Sequence, residues 1–361
     1  MYRDIATSLA KRAAASVGNG NNSSYELPTW SLPLLLLTLL VFLPFFLFIT
    51  YTLNQLYPTL AMIEDPSPPA YEPLSVNDDG QLAAEGVLPI DEDVVPTSNV
   101  PITASLRRTY RTVYALGGFR SLFRGFWCNF FVSIATSFVA GIFLISGIPS
   151  FITIPIVGLV LVQPFAAWTH IVISSPSPKY FFQRFPPFKR TFQATALPML
   201  VALVAAELSG FLTKGVAVLL NISQWQRSQP TNVPQVDKHD AWKALVVIIV
   251  GLACQVFLVI PTQVILVRVQ ASFLPEEDDT VVPFDRSFGG KVEPAIVGGK
   301  GYISMIDAWK SFSRASWIRL VKLYAKVFGA TVALGVFFGF VAVPLYLLII
   351  SHARKIESGD L

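Results

Sequence analysis

From Leu27 to Ile63 the chain reads LPTWSLPLLLLTLLVFLPFFLFITYTLNQLYPTLAMI, without one Asp, Glu, Lys or Arg. A membrane span needs roughly 20 apolar residues at about 1.5 Å of rise each. This stretch therefore holds one transmembrane helix, expected at about Leu32–Leu56. It is too long, and starts too far from the N-terminus, for a signal peptide. A second uncharged stretch runs from Gly125 to Pro178 and is interrupted only by His170. It has room for two spans if the chain turns back at Ser146-Gly147-Ile148-Pro149-Ser150, because Gly and Pro punctuate helices.

Working outward, the same character governs the rest of the chain. Of its 361 residues, 53% are hydrophobic and only 14% are charged, against about 25% charged in a soluble domain. Apolar runs predict spans at about Phe126–Ile145, Phe151–Ile173, Ala194–Leu220, Leu245–Val267 and Val327–Ile350. The loops between them alternate. Arg107, Arg108, Arg111, Arg120 and Arg124 precede the second span, and Lys179, Arg184, Lys189 and Arg190 follow the third. Lys300, Lys310, Arg314, Arg319 and Lys322 precede the last, opposed by Asp307. Basic loops one, three and five on one face place both termini on the other. Residues 1–29 read as a free tail ahead of a membrane domain at 30–361. Within that domain, 64–100 is a Pro- and acid-rich loop that cannot bury a core, and 274–300 is a loop insertion.

Chemistry is sparse. Cys128 and Cys254 lie in apolar runs and make neither a disulfide framework nor a metal spacing. The Asn21, Asn22 and Asn221 sequons matter only on a lumenal face. No Ser-His-Asp set, catalytic carboxylate pair or nucleic-acid motif is present, so the expectation is a non-enzyme with no catalytic residue, cofactor or metal. Charges inside spans are functional candidates, since each costs roughly 2.5–3.5 kcal/mol at a helix centre. Glu207 lies midway along the fourth span, and Lys214 is two turns further on the same face. With Gln255, Arg268 and His170 they are the available lining of a solute path. Ordinary alternatives exist for each: a bond to a neighbouring helix for Glu207, snorkelling for Lys214, an interface anchor for Arg268, a satisfied interior His170. Ser133, Ser137 and Gly141, like Gly335 and Gly339, recur every four residues, a spacing that suits close helix packing.

The odd spans share a further feature, a proline in the second half: Pro44, Pro164 and Pro261. Proline kinks a helix by removing a donor and displacing the i−4 carbonyl. These prolines are 120 (164 − 44) and 97 (261 − 164) residues apart, the first interval holding the acidic loop. Pro261-Thr262-Gln263-Val264-Ile265-Leu266-Val267-Arg268-Val269-Gln270 resembles the proline-x-acid-x-x-base-x-base-x-Gln signature of the mitochondrial carrier superfamily at Pro261, Arg268 and Gln270. Gly118-Phe119-Arg120-Ser121-Leu122-Phe123-Arg124-Gly125 is similar to that family's aromatic-basic-Gly element, and Tyr302–Trp317 looks like its third surface helix. The resemblance implies an all-α membrane protein, six transmembrane helices in a pseudo-threefold carrier-like bundle, in a mitochondrial membrane. It also implies transmembrane transport of a solute. The alternative is a carrier-shaped scaffold, adaptor or insertase that meets a protein partner through the 64–100 loop. The retained Arg268-Val269-Gln270 element and the family's usual role favour transport, which is the expectation; the departures favour the alternative. The family's acid and base after each proline fall here on Phe46 and Ile49, Ala166 and Thr169, and Gln263 and Leu266, none of which ionises.

Overall fold

A computed structural model describes residues 25–26, 28–65, 101–222, 241–293, 298–352 and 354–355. They are mostly helical. Helix α1 (Ser31–Leu47) passes through a π-helical stretch, Phe48–Leu56, into α2 (Tyr57–Ile63). The chain returns through α3 (Leu106–Ala115) and a 3₁₀ segment, Gly118–Phe123, to α4 (Phe126–Ile145). Helices α5 (Ser150–Val160) and α6 (Val162–Ile173) meet at a bend of 65°. Next come α7 (Phe188–Leu219) and α8 (Ala241–Cys254), which enters α9 (Ile260–Ser272) through a second π stretch, Gln255–Val259. Helices α10 (Met305–Lys310) and α11 (Arg314–Ser351) follow. Among the described residues the extended structure is an antiparallel pairing of β1 (Tyr25–Glu26) with β2 (Arg354–Lys355) and an isolated antiparallel bridge between Ser174 and Thr280.

Among the described residues five helical paths are long and apolar enough to cross a membrane: Ser31–Ile63, Gly118–Phe143, Phe188–Leu219, Ala241–Ser272 and Arg314–Ser351. The bent pair α5–α6 makes a sixth when counted as one span. Their outer faces are hydrocarbon, with Leu40, Phe138, Phe211 and Phe340 all about 70% exposed or more. Apolar surface on this scale suggests an integral membrane protein, in which helices satisfy their own backbone groups.

The breaks in the odd spans have one local cause. Pro58 and Pro261 stand in the first turns of α2 and α9, each directly after a π-helical stretch. Pro164 stands in the first turn of α6. The carbonyls four residues before them, at Asn54, Val160 and Phe257, fall in the first π stretch, at the α5–α6 bend and in the second π stretch. Each proline thus displaces a carbonyl where the helix is already broken. Pro44, the first proline expected to play this part, lies inside α1, which continues to Leu47. Pro58 takes its place, and the intervals become 106 (164 − 58) and 97 residues.

Contacts divide the chain into two compact units, Met1–Thr50 with Val327–Leu361, and Tyr51–Lys326. In the first, Phe42 packs on Phe337 and Phe338 at 5.6 and 5.0 Å between ring centroids. The Trp30 ring meets His352 edge-on. In the second, α2, α6 and α9 pack against one another, and every residue of α2 is buried. A Cβ added at Gly141, Gly335 or Gly339 would meet nothing within 4 Å, so among the described residues their spacing marks no close helix contact.

One loop expectation is corrected at its boundary. Glu64 and Asp65, the first residues of the expected 64–100 acidic loop, are ordered, and Glu64 is 1% exposed; residues 66–100 lie outside the described residues. The described part of 274–300 is folded onto the helix ends, with Leu274, Val282 and Phe288 buried.

Candidate functional site

At the C-terminal ends of α2, α6 and α9 the chain builds a closed junction. The positions two and five after the three prolines are Leu60 and Ile63, Ala166 and Thr169, and Gln263 and Leu266. Leu60, Ile63 and Ala166 are fully buried and Thr169 is 1% exposed. The Thr169 hydroxyl donates to Gln270 Oε1 at 2.6 Å, and His170 Nε2 lies 2.8 Å from the Gln270 carbonyl. His170 is thus a satisfied interior histidine tying α6 to α9.

Around this neutral centre, guanidinium groups hold the last carbonyls of the helices, which have no partners of their own and carry the negative end of the helix dipole. Arg268 donates to the Met62 carbonyl at 3.0 Å and to Ser311 Oγ at 3.1 Å. It lies 4.9 Å from the Phe288 ring centre and 5.5 Å from that of Phe312, inside the range of cation–π attraction. Arg319 donates to the Glu64 carbonyl at 2.9 Å and pairs with its carboxylate at 3.3 Å. That carboxylate also accepts from the Ile102 and Thr103 N–H groups and the Thr103 hydroxyl, so one buried side chain fixes both ends of the 66–100 excursion. At the end of α6, Arg124 donates to the Ser174 carbonyl and Arg184 to Ser174 Oγ.

Across the junction lies the segment after α9, described over 273–293 and 298–304. Val281 N–H donates to the Ile173 carbonyl at 2.9 Å, and Ser175 N–H to that of Asp279 at 2.6 Å. Asp65 N–H donates to the Pro283 carbonyl, and the Asp65 carboxylate accepts Asp285 N–H at 2.7 Å. Burial pushes the Asp65 carboxyl above the ordinary range, against the pull of that N–H and of Arg268 and Arg319. Phe288 and Ile303 enter a core with Ala166, Ala194, Val269 and Ala308. This segment is a strap that ties α2, α6 and α9 together.

Beside the junction opens a groove of about 730 Å³. Arg120, Arg124, Lys179 and Arg184 line it, with Ser121 and Ser177, and no acidic residue is in its wall. Trp127, Phe130, Phe131 and Ile134 of α4 continue it, reaching about 13 Å from Gly125 at the helical rise. Nε and Nη1 of Arg124, and the Ser121 hydroxyl, have no acceptor among the described residues. A cationic mouth leading to an aromatic wall suits an amphiphile with an anionic head. Sequence reading missed it because its two walls are some 50 residues apart; the run Phe123-Arg124-Gly125 was the available signal.

Gly125 makes the turn between the groove and the junction. It has φ +75°, and a Cβ there would stand 3.0 Å from Tyr51 Oη and 3.3 Å from Val172. Tyr51 in turn donates to the Arg124 carbonyl and accepts from Trp168 Nε1 at 3.2 Å. Gly125→Ala is expected to lower stability by about 1–3 kcal/mol, measured as the thermal unfolding midpoint in detergent. An unchanged midpoint would show that the Tyr51 ring yields freely.

The remaining expected path residues are elsewhere. Glu207 is half-buried on α7 with no hydrogen-bond or ion-pair partner among the described residues, and Lys214 on the same helix is exposed. Gln255 opens the second π stretch, half-buried. Arg268 and His170 therefore belong to the junction, and Glu207, Lys214 and Gln255 do not. No group of acids, Cys and His capable of holding a metal is found among the described residues. No protein family, curated protein or solved structure matches this chain.

Proposed function

We propose that this chain is a carrier-shaped, multi-pass membrane scaffold that stays closed at the α2–α6–α9 junction and holds an acidic phospholipid in the adjoining groove. One observation carries the reading: the positions that would need exchangeable charges to open the junction are uncharged, and four of the six are packed to 0–1% exposure. Alternating access needs two arrangements of similar free energy. Here one is held by guanidinium–carbonyl bonds and a strap, with no charged partners at those positions to compensate for their loss. The acidic headgroup follows from the four cations of the groove, each worth about 1 kcal/mol toward anionic lipid near a membrane surface. The sequence resemblance is the ground for placing the protein in a mitochondrial membrane.

The second reading, transport of a solute, is favoured by Glu207, a half-buried carboxylate along a span, where charge is costly without a purpose. One experiment separates the two. With Cys128 and Cys254 changed to Ser, single cysteines at Leu60 and Ala166 are exposed to a membrane-permeant maleimide in proteoliposomes. A scaffold is expected to leave both unlabelled over hours. Progressive labelling would sink the closed-junction reading and restore transport.

A further inference from the structure

The strap carries its own anions to the groove. Arg184, which lines the groove, pairs with Asp278 at 2.8 Å, and both side chains are largely covered. Lys179, which also lines it, lies 3.6 Å from Glu277 in an exposed pair. These acids belong to the run Glu276-Glu277-Asp278-Asp279, at the start of the segment that crosses the junction. Two of the four cations able to meet an anionic headgroup are therefore engaged from the strap side. The next residues, Asp279 to Val281, make the backbone bonds to Ile173 and Ser175 that hold the strap against α6.

We infer that the 276–279 run and an anionic headgroup compete for Arg184 and Lys179, so that occupancy of the groove and docking of the strap oppose each other. This rests on the reading of the groove as an acidic-phospholipid site. A headgroup that draws Arg184 away from Asp278 removes the strap's most covered ion pair, three residues before the Val281 bond. By reciprocity, a docked strap weakens headgroup binding by the same factor. Arg124 and Arg120, which the strap acids do not engage, remain with the headgroup in either state. The groove thus becomes a reporter of the lipid around it, and the strap is what it moves.

The test uses the full chain in neutral nanodiscs of phosphatidylcholine, titrated with a fluorescent phosphatidylglycerol. In Glu277→Gln/Asp278→Asn the competitor is removed while every groove cation stays. That variant is expected to bind the probe about three- to tenfold more tightly than the wild type, on the order of one exposed pair and one largely covered pair released. In the wild type, phosphatidylglycerol but not phosphatidylcholine is expected to speed hydrogen exchange at the Val281 amide. Equal affinities with unchanged exchange would overturn the competition and leave the groove reading intact. No binding in either protein would overturn both. An equal speeding of exchange by inorganic phosphate would keep the competition and assign the site to free phosphate instead of lipid. Arg124→Gln, which touches no strap acid, is expected to weaken the probe equally in both backgrounds; a loss confined to one would count against the assignment of Arg184 and Lys179 as the shared groups.

Discussion

Replacing Glu64 with alanine is expected to destabilise the protein by about 3–5 kcal/mol, the cost of breaking a buried ion pair by removing one partner. The carboxylate is 1% exposed and is the acceptor for two backbone N–H groups, one hydroxyl and the Arg319 guanidinium. Its loss leaves a largely covered cation without its direct ion-pair partner, and frees the return of the chain at Pro101. Two measurements follow: thermal unfolding in detergent, and limited proteolysis near residue 101. The variant should unfold well below the wild type and be cut there at temperatures where the wild type resists. Glu64→Gln keeps an oxygen for the backbone donors but no charge for Arg319, so it should fall between. A wild-type midpoint in Glu64→Ala would mean that water replaces the carboxylate, and the pinned stem would have to be given up.

Arg268→Ala should have the next largest effect, about 2–4 kcal/mol, from a vacated space between two aromatic rings and two acceptors left without donors. The Met62 carbonyl and Ser311 Oγ are bonded through different nitrogens of one planar group. An ammonium cannot span both, so Arg268→Lys should recover less than half of the loss. This separates the structural role from the substrate-path role that the motif suggested. A substrate ligand, once removed, leaves a normally folded protein that no longer binds. Normal unfolding of Arg268→Ala would therefore reopen the transport reading.

The sequence made the spans plain and the junction nearly so. Uncharged stretches place six crossings, and the chain delivers five helices and one bent pair. What misled was the proline of the first repeat. Pro44 sits in the most apolar part of the chain and draws the eye, whereas Pro58 lies where Asn54, Gln55 and Tyr57 lower the hydropathy. Only packing shows that Pro58 heads the helix meeting α6 and α9. The uncharged gate positions survive this change of register, because Leu60 and Ile63 ionise no more than Phe46 and Ile49. Glu64 was unreadable for another reason. An acid followed by Asp and three prolines within five residues reads as the start of a solvated loop, and its partners, Ile102, Thr103 and Arg319, are 38 to 255 residues away. The strap was unreadable likewise, since its acids suggest solvent and its anchors are scattered apolar residues.

The arginines at the helix ends have a consequence for how this protein can change over time. Arg124 and Arg319 are among the basic loop residues expected to set orientation during insertion, and the same side chains bond the Ser174 and Glu64 carbonyls at the ends of α6 and α2. Insertion signal and folded architecture are therefore written in one set of letters. A lineage cannot drift toward the inverted orientation by shedding these charges one at a time, because each loss also uncaps a helix. The trade of arginine for lysine, which would keep the orientation signal, is costly for the same reason, since an ammonium does not reproduce the guanidinium fork.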